Sequence, residues 1–129
     1  MYTQIEIETH FEGKLKIAYL NQPETYNSLN KILLQELKNF IVACNEDENV
    51  RCVALSGRGK AFCSGQNLKE ALSLGNIEEG RVIQKMVVDY YNPLVEEIAH
   101  CRKPVVSLVN GPAVGAGAML ALICDICLA

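Results

Sequence analysis

The order in which two apolar periodicities alternate along the chain is the feature that most constrains its fold. In short stretches apolar residues recur at every second position, as in β-strands, and in longer ones at every third or fourth position, as in α-helices. The predicted order is β-β-α-β-α-α-β-α-β, with strands over residues 2–11, 15–20, 50–56, 105–109 and 125–129. Strands separated by helices favour an α/β fold with a largely parallel sheet.

Several details of this arrangement can be predicted from local sequence. The third strand, VRCVALS, is apolar on both faces, so we expect it to be central. The last strand, DICLA, is also apolar and is expected to be buried. Ser28 or Asn30 is expected to cap the first helix, whose apolar face is predicted to consist of Ile32, Leu33, Leu37, Phe40, Ile41 and Cys44.

The helical region before the fourth strand contains a proline. We expect a short helix capped by Asn67 and ending at Leu74, followed by a longer helical region over residues 77–101. Pro93 lies inside the longer region and should kink or split it. The apolar residues that step by four through this region are Val82, Met86, Tyr90, Leu94 and Ile98.

Length and composition restrict the class of protein. The 129 residues suit one domain over 1–129 rather than two. The net charge is −3, so the composition does not indicate a basic surface for binding nucleic acid. The sequence also has no polybasic stretch that could bind an anionic membrane surface. The longest apolar run, residues 113–124, is too short to span a bilayer, and the N-terminus does not resemble a signal peptide. We therefore expect a soluble, cytoplasmic protein.

Most of the six cysteines lie in apolar runs, which is typical of reduced, buried thiols. Cys124 and Cys127 have the spacing of a metal-binding pair, but no second pair accompanies them, so no metal site is predicted.

Two loops rich in small residues share one design. Each follows an apolar strand and leads into a predicted helix: SGQNLKEAL after VALS, and VGAGAMLAL after VVSLV. Such a turn leaves backbone N–H groups that can bind an anion or a developing oxyanion. The alternative is that the small residues only allow close packing of helix and strand. A dinucleotide-binding or phosphate-binding loop is excluded because neither glycine fingerprint is complete.

The segments GKAFCSGQNLKE and KPVVSLVNGPAVGAGAMLALICDICLA resemble the two signature segments of the crotonase superfamily, the enoyl-CoA hydratases and isomerases. NQPETYNSLNKILLQEL resembles the N-terminal stretch of the same family, so the resemblance covers essentially the whole chain. It implies the N-terminal portion of the ClpP/crotonase-like ββα spiral fold. Within the superfamily, the segment GPAVGAGAMLAL most resembles the epoxyphenylacetyl-CoA isomerase-like branch, which belongs to the phenylacetate pathway.

The resemblance implies an acyl-CoA thioester substrate, with coenzyme A as part of the substrate and no separate cofactor. The thioester oxygen would be held by the backbone N–H groups of Gln66 and Ala116. Residues on the CoA and pantetheine path would be Lys60, Ala61, Phe62, Gln66, Asn67, Leu68 and Gly115, with a core position as the alternative for Phe62. The family also implies a homo-oligomer, a trimer or a dimer of trimers.

The chain departs from the hydratase pattern at Met119, where hydratases of the family carry the first of two glutamates. Met119 cannot ionise or orient water, which favours isomerisation, a reaction that needs one carboxylate to move a proton. That carboxylate would lie about twenty residues further on in the family, so we expect this chain to be an N-terminal half. A non-catalytic binding or assembly module is the alternative. Asp125 is expected to be structural, and His10 and His100 to lie on the surface.

Overall fold

A computed structural model describes residues 2–67 and 79–129. Its strands are β1 (Ile5–His10), β2 (Leu15–Leu20), β3 (Cys52–Gly57), β4 (Val105–Leu108) and β5 (Ile126–Leu128). A 3-10 turn (Pro23–Thr25) follows β2, and the described helices are α1 (Lys31–Glu46), α2 (Glu79–Met86), a π-helix (Val87–Tyr91), α3 (Asn92–Ala99) and α4 (Ala116–Leu122). The predicted order is confirmed wherever it can be compared. The short helix predicted to end at Leu74 lies outside the described residues beyond Asn67.

The strands form one five-stranded sheet in the order β1-β2-β3-β4-β5. The β1–β2 pair is an antiparallel hairpin, with Ile5 opposite Leu20, and the three remaining pairs are parallel. The predicted mixed α/β class is therefore confirmed. β3 is central, as its two apolar faces predicted, and its residues from Val53 to Gly57 are all buried.

Helix α1 covers one face of the sheet. Asn30 caps it, because the Asn30 side chain accepts a hydrogen bond of 2.8 Å from the backbone N–H of Leu33. Ile32 was predicted to lie on the apolar face, and this is wrong, because its side chain is 52% exposed. Ile32 lies in the first turn of α1, on the outward side. The buried face of α1 consists of Leu33, Leu34, Leu37, Phe40, Ile41 and Cys44.

Pro93 splits the second helical region as predicted, but the helix before it has π geometry. The backbone N–H of Asn92 donates to the carbonyl of Val87, five residues back, which is the π spacing. The extra residue in this turn shifts the buried position by one. Tyr91 is therefore 8% exposed, whereas Tyr90, which the step of four placed in the apolar stripe, is partly exposed. Tyr90 nevertheless packs against the core as a partly buried residue.

Strand β5 does not have the predicted burial. It pairs with β4, but its residues are exposed, with Ile126 at 50% and Leu128 at 54%. It forms an edge of the sheet, where the described residues leave its side chains uncovered. Asp125 has the expected structural part, because its carboxylate accepts a hydrogen bond of 2.8 Å from the N–H of Val105. Within the described part of the chain, no helix has both the length and the hydropathy to cross a membrane.

Candidate active site

The loop that follows β3 is fixed by two asparagines. The amide nitrogen of Asn27 donates to the carbonyls of Arg58 and Ala61, each at 2.9 Å. The amide nitrogen of Asn110, from the loop after β4, donates to the same Ala61 carbonyl at 3.2 Å, and its oxygen accepts from the N–H of Gly57 at 3.1 Å. Asn27 is fully buried. Side chains from two different segments therefore hold the start of this loop.

Further along, the first loop runs beside the chain segment that leads into α1. The N–H of Leu29 donates to the carbonyl of Gly65 at 2.7 Å, and the N–H of Asn67 donates to the carbonyl of Leu29 at 2.8 Å. Gln66 lies between these two bonds. In an extended segment successive peptide groups alternate in direction, so the N–H of Gln66 points away from Leu29.

The loop after β4 lies alongside the first loop. The carbonyl of Pro112 accepts hydrogen bonds from the N–H groups of Phe62 and Cys63 at 3.1 and 3.3 Å. The N–H of Val114 donates to the carbonyl of Cys63 at 3.1 Å. These bonds form a parallel bridge between Cys63 and Ala113 and hold the two small-residue loops together.

Glycines occupy the points at which the two loops touch. A Cβ atom on Gly65 would lie 2.9 Å from the carbonyl oxygen of Val114 and 3.7 Å from the backbone nitrogen of Ala116. A Cβ on Gly117 would lie 2.3 Å from the carbonyl oxygen of Cys63, which is too close for any side chain. At Gly115, in contrast, an added Cβ would meet no atom within 4 Å. The loops are therefore in contact at Gly65 and Gly117, and open space lies beside Gly115.

Gln66 and Ala116 are sequence neighbours of the contacting glycines: Gln66 follows Gly65, and Ala116 precedes Gly117. Over residues 2–67 and 79–129, neither N–H has a hydrogen-bond acceptor within bonding distance. Ala116 is the first residue of α4, so no carbonyl of its own helix can accept from it. These two N–H groups, 50 residues apart in sequence, therefore belong to residues beside the contact between the loops and have no acceptor among the described residues; that they converge on one oxygen stays a prediction.

Comparison with known proteins identifies the family. The family described as "Enoyl-CoA hydratase/isomerase" matches residues 11–129. The chain belongs to the enoyl-CoA hydratase/isomerase family. It is 37% identical over 123 residues to the 1,2-epoxyphenylacetyl-CoA isomerase of Escherichia coli, covering 95% of this chain and 47% of that protein. It is 36% identical over 118 residues to the crotonyl-CoA hydratase of Syntrophomonas wolfei, covering 88% of this chain and 42% of that protein.

Solved structures of the enoyl-CoA hydratase/isomerase family have the same fold. The structure of an enoyl-CoA hydratase/isomerase from Mycobacterium paratuberculosis superposes with a TM-score of 0.82 at 32% identity, covering 98% of this chain and 49% of that one. The predicted crotonase fold and the resemblance are thus confirmed. The chain spans about half the length of the relatives that it matches.

The residues that the family resemblance assigned to the CoA path differ in exposure. Lys60 is exposed, and Gln66 and Asn67 are half-buried. Ala61 is buried and its carbonyl accepts from both asparagines, while Phe62 is fully buried in the hydrophobic core, the alternative position considered for it. Leu68 lies outside the described residues. The assignment of this path to CoA stays a prediction.

Among the described residues, the thiol of Cys63 and the side chain of Met119 are unsuited to acid–base or nucleophilic chemistry. Burial raises the pKa of the Cys63 thiol to about 11, so the thiol is neutral near pH 7 and a poor nucleophile. Met119 is partly buried and packs against the core. The two histidines lie on the surface as predicted: His10 contacts Glu8 at 2.9 Å, and His100 Nδ1 contacts the carbonyl of Glu96 at 2.8 Å.

One residue at the site was missed by the sequence analysis. The hydroxyl of Tyr91, in the π-helix, donates to the side-chain oxygen of Gln66. The step of four directed attention to Tyr90 instead. The signal that was available is Pro93, because a proline deprives the preceding turn of one N–H donor and makes a change of helical register there more favourable.

Proposed function

We propose that the protein acts on an acyl-CoA thioester and stabilises the thioester enolate with the N–H groups of Gln66 and Ala116. The observation that carries this proposal is the close approach of Gly65 to Ala116. In addition, neither the Gln66 N–H nor the Ala116 N–H has an acceptor among the described residues. Two N–H groups fixed at one place can bind one oxygen from two sides.

The chemistry follows from where charge develops. Removal of a proton from the carbon next to the thioester carbonyl leaves the negative charge of the enolate largely on the carbonyl oxygen. Fixed donors aimed at that oxygen lower the barrier because they need no reorganisation during the reaction. The loss of one such donor typically costs about 2.7–4 kcal/mol of transition-state stabilisation. A carboxylate must also move the proton, and we expect it outside the described residues.

Isomerisation is the reaction that we propose in preference to hydration. Hydration requires side chains that orient and deprotonate a water molecule, whereas Met119, at the position of the first hydratase glutamate in the resemblance, can do neither. The E. coli relative named an epoxyphenylacetyl-CoA isomerase supports this choice.

The first experiment is a binding titration with protein made from its complete reading frame. The ligand is a non-hydrolysable acyl-CoA analogue in which a ketone replaces the thioester, and the matched control is an S-alkyl-CoA that lacks the carbonyl oxygen. We expect clearly tighter binding of the ketone analogue, because only it has an oxygen for the two N–H groups. Absence of binding, or equal binding of the two ligands, would overturn the proposal.

Turnover distinguishes an enzyme from a non-catalytic module. 2-Enoyl-CoA and 3-enoyl-CoA thioesters are incubated separately with the protein in D2O, and the products are analysed by mass spectrometry. Isomerisation moves the double bond and can incorporate deuterium, while hydration adds the mass of water. Binding of the ketone analogue without either product would instead favour the binding-module alternative.

A further inference from the structure

The side chain of Gln66 is held at both ends. Its oxygen accepts a hydrogen bond from the hydroxyl of Tyr91, and its nitrogen donates to the carbonyl of Asn67 at 3.3 Å. Tyr91 is 8% exposed and Gln66 is half-buried, so this contact lies largely out of water. The Gln66 amide therefore ties the π-helix to the loop that carries the proposed oxyanion donor.

The π-helix is what brings Tyr91 to this loop. With the Asn92 N–H bonded to the carbonyl five residues back, Tyr91 takes the buried position, and its hydroxyl reaches Gln66. Tyr90, its neighbour, lies in another direction, with the Lys31 ammonium 5.7 Å from its ring centroid. Two adjacent tyrosines thus contact different parts of the molecule.

The loop around Gln66 needs an additional anchor. Gly65 has a φ of +101°, a conformation that glycine adopts without strain, and glycine also makes this point of the chain easy to deform. The backbone bonds to Leu29 fix the peptides on either side of Gln66 but leave its own N–H unbonded among the described residues. That N–H shares a planar peptide group with the Gly65 carbonyl, so the bond to Leu29 sets its direction, and the hydrogen bond from Tyr91 to the Gln66 side chain adds a second restraint on the same residue.

We propose that Tyr91 is a positioning residue, whose hydroxyl holds the Gln66 side chain and so helps the backbone bonds to Leu29 to keep the Gln66 N–H directed into the proposed oxyanion site. The catalytic part of this inference rests on the proposed function. The mechanical part, that Tyr91 holds the Gln66 loop, does not depend on any substrate.

Hydrogen exchange tests the mechanical part on protein made from its complete reading frame. Tyr91→Phe removes only the hydroxyl, and Tyr90→Phe is the matched control. In the Tyr91→Phe variant we expect the backbone N–H groups of Leu29 and Asn67, whose bonds flank Gln66, to exchange about three- to tenfold faster, the range expected for one lost hydrogen bond. The Val114 N–H, bonded to Cys63 in the neighbouring bridge, should keep its rate in both variants.

Steady-state kinetics test the catalytic part. We expect Tyr91→Phe to lower kcat for the enoyl-CoA thioester about three- to tenfold with little change in KM. The reason is that the direction of the Gln66 N–H affects the transition state, in which the thioester oxygen carries the developing charge, more than the bound substrate. In the Tyr91→Phe variant, the carbonyl stretching frequency of a bound enoyl-CoA analogue should shift from its value in the wild type towards the value of the free analogue. Tyr90→Phe should change neither quantity. A double variant, Tyr91→Phe with Gln66→Leu, should be no slower than Gln66→Leu alone if Tyr91 acts through Gln66.

Unchanged exchange at Leu29 and Asn67 in the Tyr91→Phe variant would overturn the inference, whatever the activity. Faster exchange with unchanged kcat would also overturn it, since the hydroxyl would then have no part in catalysis. A wild-type protein without turnover would contradict the proposed function instead. The exchange rates would still decide whether Tyr91 holds Gln66.

Discussion

Gly65 and Ala116 approach each other so closely that a Cβ atom on Gly65 would lie 3.7 Å from the Ala116 backbone nitrogen. The same atom would lie only 2.9 Å from the carbonyl oxygen of Val114. Any side chain at position 65 would therefore separate the two loops that carry the proposed donors. This contact makes the loss of one glycine a test of the site.

We expect Gly65→Ala to destabilise the protein more than Gly115→Ala does. Both glycines have positive φ, at +101° and +57°, so alanine is strained at either position by about 1–3 kcal/mol. Only at position 65 must the Val114 carbonyl also move, since space beside Gly115 is open. The measurement is the free energy of unfolding in urea. Equal losses would show that the contact with Val114 does not restrict position 65.

Ala116→Pro should abolish one proposed donor and leave the fold intact. Proline lacks the N–H group, and it is well tolerated at the first position of a helix, where Ala116 lies. We expect kcat for an acyl-CoA substrate to fall by about 10²–10³. Ala116→Ser keeps the N–H and is the control, for which kcat should stay near the wild-type value. A proline variant with wild-type kcat and an unchanged unfolding midpoint would contradict the role of this donor.

Asn27→Asp should be more destabilising than Asn110→Asp. The aspartate would place carboxylate oxygens against carbonyls that now accept hydrogen bonds from the amide nitrogen. Asn27 is fully buried and Asn110 is exposed, so only at position 110 can water solvate the new charge. We expect the free energy of unfolding of Asn27→Asp to be lower than that of Asn110→Asp by at least about 1 kcal/mol. Thermal unfolding of both variants at pH 7 measures it, and similar losses would contradict the prediction.

Glu36 should make the stability of the β1 strand depend on pH. Burial raises the pKa of this carboxyl, but hydrogen bonds from the N–H groups of Gln4, Thr3 and Ile5 and from the Thr3 hydroxyl outweigh burial and lower the pKa below its ordinary value of 4.5. Because the folded-state pKa is the lower one, the stabilisation is fully present above the unfolded-state pKa. It is lost as the pH falls through the folded-state pKa.

Glu36→Gln removes this titration and keeps one acceptor oxygen. We expect the variant to be less stable than the wild type at pH 7, with a smaller further loss of unfolding free energy between pH 5 and pH 3, a range that brackets the ordinary carboxyl pKa of 4.5. Urea unfolding across this pH range checks the prediction. If the wild type and the variant lose the same free energy of unfolding between pH 5 and pH 3, the prediction is contradicted.

The arrangement of strands could be predicted because local pattern and global fold agree. The apolar faces of β3 predicted its central place, and the helical face of α1 predicted most of its buried side. Strands separated by helices predicted the largely parallel pairing. Two predictions of burial failed. Ile32 is exposed on the outer side of α1, and the described residues leave β5 uncovered at an edge of the sheet. A π turn also brings Tyr91 to a buried position beside the partly buried Tyr90.

The sequence by itself determined the fold class, the family and the two small-residue loops, because each of these is written in residues close together along the chain. Only the tertiary structure decided that Gly65 touches the second loop, that two asparagines share the carbonyl of Ala61, and that Tyr91 holds Gln66. These contacts join residues that are 25 or more positions apart in sequence. No local periodicity encodes them, since they arise from strand pairing and helical register together.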